Sequence, residues 1–218
     1  MQTALKKNQP VTDSHLYYSP EKKEIRELLL HSHSNPKLIL TLGGMLLIDA
    51  KMFYRSRGYC HTVSIERDSL IWKHQISESE EYQPGVLPLK MEFSDFIGIA
   101  NHFPPFDLVY LDFNCILNNS LEQNMEQFFP LLKQNSILGI TLVRAHDGVN
   151  QIAGTYCYET VCSRRYDFYL ENRKTVISQA LIGLAKRSGC ILKELECREY
   201  TNTGDKTPML FLMYKVMK

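Results

Sequence analysis

The chain has 218 residues, which suits one domain or one domain with an appendage. Its 44% hydrophobic and 22% charged residues exclude a disordered, collagenous or fibrous protein. With 25 Lys and Arg against 24 Asp and Glu, the net charge of +1 gives no global pull toward nucleic acid or an anionic membrane, and leaves only local patches to consider.

The opening MQTALKKNQPVTDSH carries two lysines with no apolar core behind them, so it does not read as a secretory signal. Residues 1–18 show no strong pattern. Ser19-Pro20 followed by EKKEIRELLLHS predicts a helix start, with proline in the first turn and apolar residues at 25, 28 and 29. Asn35-Pro36 breaks that helix. Leu38–Leu42 is a short apolar run closed by Gly43-Gly44, which predicts a buried strand and a tight turn. A helical pattern over 45–57 ends at Gly58, and His61–Ile65 is a second β-like run. A short helix over 69–76, a strand over Val86–Met91, a helix over 94–102 and a very apolar strand over Phe106–Leu111 follow. Leu121–Lys133 reads as helix, with Pro130 a difficulty near its end, and Ser136–Val143 as the fifth strand. That fifth run, like every other apolar run in the chain, is far short of the roughly 20 residues of a membrane span. Beyond it, Asn172–Ser188 is a helical pattern closed by Gly189. Two long β-like segments, Ile191–Tyr200 and Met209–Val216, then flank the turn-rich TNTGDKTP and predict an antiparallel hairpin.

Short apolar runs alternating with helical patterns mark an α/β protein with a mostly parallel sheet covered on both faces. The six cysteines form no CxxC pair and fall mostly in apolar stretches. They read as reduced thiols of a cytosolic protein, with no metal site among them.

In such a sheet, ligands bind beyond the carboxyl ends of the strands. Gly43-Gly44 follows the first strand and leads into a helix, where backbone can approach a ligand or simply turn tightly. Glu66 ends the second strand, 22 positions past Gly44, near the spacing of acids that bond ribose hydroxyls. Glu92 and Asp95 follow the third strand as acids available to an adenine amino group. Asp112 closes the fourth, where a charge is tolerable only at a strand end facing a cleft.

The order of elements, the terminal helix and hairpin, and the acids ending strands two to four resemble the class I S-adenosylmethionine-dependent methyltransferases, over roughly residues 36–218. The resemblance implies a Rossmann-like, doubly wound, mostly parallel seven-stranded sheet with a C-terminal antiparallel hairpin, and S-adenosylmethionine as cofactor. It implies cofactor contacts from Thr41, Leu42, Gly43 and Gly44 in the first loop, from Glu66 to the ribose, from Glu92 and Asp95 near the adenine, and from Asp112. Thr41 stands where the family has an acid, and the loop lacks one or more of the family's glycines; Asp49 is a candidate substitute for the acid. Residues 1–35 then form an extension with a helix.

DNA enzymes that methylate amino groups resemble one another in an Asp/Asn-Pro-Pro-aromatic stretch after strand four. Asp112-Phe113-Asn114-Cys115 keeps the acid and lacks both prolines, which argues against a standard N6-adenine or N4-cytosine enzyme. Cys115 also lacks the Pro-Cys context of a cytosine C5 nucleophile and reads as a packed small residue. Asp112, Asn114 and His146 are the candidate catalytic groups, with a base needed only where the acceptor loses a proton.

Residues 144–170 are longer than an ordinary connection and read as a lid inserted beside the cleft. Arg144, Arg164 and Arg165 are interleaved there with Tyr156, Tyr158, Tyr166 and Tyr169, a mixture suited to phosphate contacts and base stacking. Substrate recognition is accordingly assigned to Arg144, Tyr156, Tyr158, Arg164 and Arg165, with DNA or RNA among the candidate acceptors. The competing readings are a catalytically silent binding or regulatory protein on the same fold, and a nicotinamide-dependent oxidoreductase. The oxidoreductase would need a G-x-G-x-x-G that Gly43-Gly44 does not supply.

Overall fold

A computed structural model of the chain describes residues 19–44, 46–57, 60–143, 166–201 and 207–218. Helix α1 spans Pro20–Ser32, with the Ser19 hydroxyl accepting from the Lys22 amide at its start and Pro20 in the first turn. There follow strand β1 (Leu38–Leu42), helix α2 (Ile48–Arg57), strand β2 (His61–Glu66), helix α3 (Ser69–Ser79), strand β3 (Val86–Lys90) and helix α4 (Phe93–Ile99). Strand β4 (Leu108–Asp112), helix α5 (Asn119–Phe128), strand β5 (Ile137–Val143), helix α6 (Tyr166–Arg187) and strands β6 (Leu192–Thr201) and β7 (Pro208–Val216) complete it.

The seven strands lie in the order β3-β2-β1-β4-β5-β7-β6. The first five are parallel, and β7 runs antiparallel to both β5 and β6. The expected doubly wound sheet with a terminal antiparallel hairpin is therefore the architecture observed. Strand order reverses between β1 and β4, which places a crevice at their carboxyl ends.

Period-2 alternation divides the strands between two apolar layers. Val109 and Leu111 of β4, with Leu210 and Leu212 of β7, face Phe96 of α4, Met125 of α5 and Leu184 of α6. The alternate positions Leu108, Tyr110, Phe211 and Met213 face Ile25 and Leu29 of α1 and Phe53 of α2. The helix of the N-terminal extension thus packs into the core of the sheet.

Several boundaries differ from expectation for local reasons. Pro130 has no N–H to continue a helix, so α5 stops at Phe128 and a 3-10 turn covers Phe129–Leu131. Helix α2 begins at Ile48, after Leu47 takes a positive φ of 52°. Helix α4 ends at Ile99 and passes into a 3-10 turn over Ala100–His102. Helix α6 starts at Tyr166, six residues before the expected position, and stops before Gly189, whose φ of +76° suits a residue without Cβ. Among the described residues no helix is long and apolar enough to cross a membrane.

Candidate active site

The carboxyl ends of β1, β2, β3 and β4 open into one cleft of about 340 Å³, within the roughly 300–1,000 Å³ typical of small-molecule sites. It is lined by residues at the ends of these four strands and by Lys22 and Arg26 of α1.

At the end of β1, Leu42, Gly43 and Gly44 line the cleft. The Gly43 amide donates to the Ile65 carbonyl (2.9 Å), and Gln75 of α3 donates its side-chain amide to the Gly44 carbonyl (3.1 Å). A Cβ on Gly43 would collide with Ser64 Oγ and Gln75 Nε2, so the glycine is required by the close approach of β2 and α3. Thr41 is fully buried, bonds the Leu42 carbonyl (3.3 Å), and is not part of the cleft wall. Asp49, the candidate substitute acid, does line the cleft, where it is held by Arg26 of α1 in a buried ion pair.

At the end of β2, one carboxylate oxygen of Glu66 accepts from the Asp68 amide (2.7 Å). Burial pushes the Glu66 carboxyl above the usual glutamate value, against the pull of the Asp68 and Arg67 amides. Asp68 caps α3, accepting from the amides of Leu70 (2.7 Å) and Ile71 (3.1 Å). Glu92 stands at the start of α4, exposed, 4.0 Å from the Arg67 guanidinium. Asp95, one turn along, is exposed and outside the cleft wall.

At the end of β4, Asp112 Oδ2 accepts from Lys22 Nζ of α1 (2.6 Å), while Asp112 Oδ1 is buried with no hydrogen-bond partner. Asn114 and Cys115 follow on the cleft wall. Burial raises the Cys115 thiol above its usual value, against the opposing charge of Arg67, so the group stays protonated near neutrality. Behind Asp112, the Tyr110 hydroxyl shares a hydrogen bond with Thr141 (3.3 Å). Burial, with Asp112 and Asp49 nearby, holds it as a neutral phenol.

Between the acids the wall is apolar. Ile65, Ile71, Met91, Phe93 and Phe113 line it, and the two phenylalanine rings meet edge to face with centroids 5.5 Å apart. A slot of this kind accepts a flat ring, and the flanking acids suit hydroxyl, amino and cationic groups. Gly43, Gly44, Leu42, Glu66, Glu92, Asp112 and Asn114 are thus brought together, and Thr41 and Asp95 are not. Arg144, His146, Tyr156, Tyr158, Arg164 and Arg165 lie outside the described residues.

Lys22 and Arg26 are the site residues that reading for strand ends misses. Their trace in the sequence is two cations four apart, beside the apolar stripe of Ile25 and Leu29.

No protein-family model matches the sequence, and no curated protein matches it. Solved structures do resemble the fold. Trm5b from Pyrococcus abyssi matches over 94% of this chain with a TM-score of 0.59 at 10% identity. An O-methyltransferase from Bacillus cereus, solved in complex with SAH, matches over 93% of this chain and 83% of its own, with a TM-score of 0.60 at 13% identity. The O-methyltransferase TomG from Streptomyces achromogenes, solved with SAM, matches over 93% of this chain and 82% of its own, with a TM-score of 0.59 at 14% identity. The chain spans about half (52%) of the length of Trm5b. At these identities the likeness establishes the fold, which is that of these methyltransferases.

Proposed function

We propose that the protein is an S-adenosylmethionine-dependent methyltransferase whose cofactor lies in the cleft at the ends of β1 to β4. The observation that carries this reading is the convergence of Glu66, Glu92 and Asp112, from three strand ends, around the apolar slot of Ile65, Ile71, Met91 and Phe93. The adenine takes the slot, its amino group toward Glu92, and the ribose hydroxyls donate to Glu66. Four acids against three cations (Asp49, Glu66, Glu92, Asp112; Lys22, Arg26, Arg67) leave the cleft net negative. That suits a ligand of net positive charge. These features fit the cofactor; the neighbours solved with SAH and SAM support the same reading.

S-adenosylmethionine supplies an electrophilic methyl carbon on a sulfonium, so transfer is chiefly a matter of alignment. Asp112 and Asn114, where β4 meets the cleft, are the groups placed to orient the acceptor, with His146 the candidate base where a proton must leave. Nucleic acid is the acceptor class to test first. Its support is the arginine–tyrosine composition of 144–170.

The test is calorimetric titration with S-adenosylmethionine and S-adenosylhomocysteine, with thermal melting alongside, followed by transfer of labelled methyl to DNA and RNA. Ligand at about 100 times its dissociation constant should add roughly 2.7 kcal/mol of stability. A folded protein that binds neither compound would favour the second reading, a silent methyltransferase fold used for binding. Two observations favour that alternative: Leu47 occupies a left-handed position in the glycine loop, and Thr41 gives the cleft no acid.

A further inference from the structure

We infer that Gln75 of α3 is a positioning residue for ligand binding: it acts through Gly44, holding the Gly43-Gly44 loop in place against the slot, and it does so at a cost to the stability of the fold. The inference rests on the cofactor reading above.

Gln75 is fully buried in α3, one turn beyond Ile71, which lines the cleft; Gln75 itself lies outside the cleft wall. Its side-chain amide has one hydrogen bond, Nε2 donating to the Gly44 carbonyl (3.1 Å), while its Oε1 is buried with no partner. The Gly44 oxygen can only accept, so the amino end of the side chain must face it. A buried carbonyl oxygen without a donor is destabilising, and a methionine would fill the same space without one. Core packing therefore does not account for a glutamine here. The bond to Gly44 does.

That bond joins two walls of the cleft. Gly43 and Gly44 belong to the end of β1, and Ile71 and Gln75 to α3. The loop rests directly on the amide, since a Cβ on Gly43 would overlap Gln75 Nε2 as well as Ser64 Oγ. Two other restraints act on it: the Gly43 amide donates to the Ile65 carbonyl (2.9 Å), and the Leu47 amide donates to the Gly44 carbonyl (3.1 Å). The first ties Gly43 to β2, and the second stays within the loop. Gln75 is what connects Gly44 to the helix that carries the slot wall. Because Leu47 also serves the Gly44 carbonyl, loss of the glutamine strands no acceptor. The fold can spare Gln75; the spacing of Gly44 from Ile71 cannot.

The experiment separates affinity from stability in the full chain. Calorimetry with S-adenosylhomocysteine is run beside thermal melting without ligand. Gln75→Met should melt no lower than the unaltered protein, because the orphaned oxygen is gone, yet bind S-adenosylhomocysteine about fivefold or more weakly, the worth of one neutral hydrogen bond. Gln75→Glu keeps the shape and exchanges the donor for an acceptor. Its carboxylate repels the Gly44 carbonyl, whereas its protonated form donates to it. The affinity of Gln75→Glu, taken relative to the unaltered protein at the same pH, should therefore recover on acidification, and this arm decides the matter if Gln75→Met does not fold. Unchanged affinity in a folded Gln75→Met protein would overturn the inference. So would a Gln75→Glu protein whose relative affinity does not vary with pH, since a packing role alone predicts that result. Either outcome leaves the cofactor reading standing. Failure of the unaltered protein to bind S-adenosylhomocysteine would overturn the cofactor reading, and this inference with it.

Discussion

Arg26 of α1 and Asp49 of α2 form an ion pair in the wall of the cleft, with side chains only 4% and 11% exposed. Burial lowers the guanidinium's hold on its proton, but the carboxylates of Asp49 and Asp112 more than offset this, and the Arg26 charge is secure. Removing one partner strands the other charge in the interior. Arg26→Met should therefore cost about 3–5 kcal/mol in urea unfolding, whereas Arg26→Met combined with Asp49→Leu should recover most of that loss. A double variant as unstable as the single one would show that Arg26 acts mainly through its other contacts.

Glu66 should set the acid limit of ligand binding. Ribose hydroxyls donate to the ionised carboxylate, and burial raises the Glu66 value above the ordinary 4.5. Affinity for S-adenosylhomocysteine should then fall on acidification, beginning above the ordinary glutamate range, and Glu66→Gln should flatten that dependence. The sign for the free protein is opposite: a raised folded value means that this group's contribution to stability declines as pH rises from the unfolded value through the folded one. Glu66→Ala should weaken binding roughly tenfold or more without unfolding the protein, from the loss of hydrogen bonds to a charged group. Unchanged affinity would remove Glu66 from the site.

Gly43→Ala should destabilise by about 1–3 kcal/mol, because the new methyl overlaps Ser64 Oγ and the Gln75 amide. In a chain of this size that corresponds to a melting temperature lower by about 2–4 °C per kcal/mol. Adding Ser64→Ala removes one obstacle together with a buried hydroxyl that has no partner, so the double variant should melt above Gly43→Ala.

Leu47 tests the strain in the same loop. Its φ of 52° lies in the left-handed region, and its side chain is buried at 1% exposure with Ala50, Tyr82 and Val86. Leu47→Ala loses the packing and keeps the backbone penalty, at a cost of about 2–5 kcal/mol. Leu47→Gly loses the same packing but relieves a conformation that costs L-residues about 1–2 kcal/mol. The glycine variant should therefore be at least as stable as the alanine one by chemical denaturation. The reverse order would mean that the backbone relaxes out of the left-handed region once the side chain is gone.

Much of the fold was legible because the signals that define it are local. Leu38–Leu42 and Phe106–Leu111 are short apolar runs beside glycine or proline, and the structure has strands at both. The hairpin was legible from its length and from TNTGDKTP. Boundaries moved where one residue's backbone overrides a periodic pattern, as Pro130 does for α5 and Leu47 for α2. Within the candidate site, Glu66, Glu92 and Asp112 were legible because a strand end is a position in the sequence as well as in space. Thr41 and Asp95 show the limit of that logic: neighbours along the chain point to different sides, and these two are not in the cleft wall.

The contribution of α1 belongs to the other category. Lys22 meets Asp112 across 90 positions and Arg26 meets Asp49 across 23, and neither pairing leaves a mark in local periodicity. The same holds for Gly43, which reads as a turn glycine but is held to that identity by Ser64 and by Gln75 from the next helix. Alternation of apolar and polar residues, turn chemistry and the acids at strand ends are properties of short stretches of chain, so the α/β class and the acid end of the cleft follow from them directly. Which charges face one another in the cleft wall depends on how α1 packs against the sheet. That docking is set by Ile25 and Leu29 packing against Leu108, Tyr110 and Phe211, residues brought together by the folded sheet.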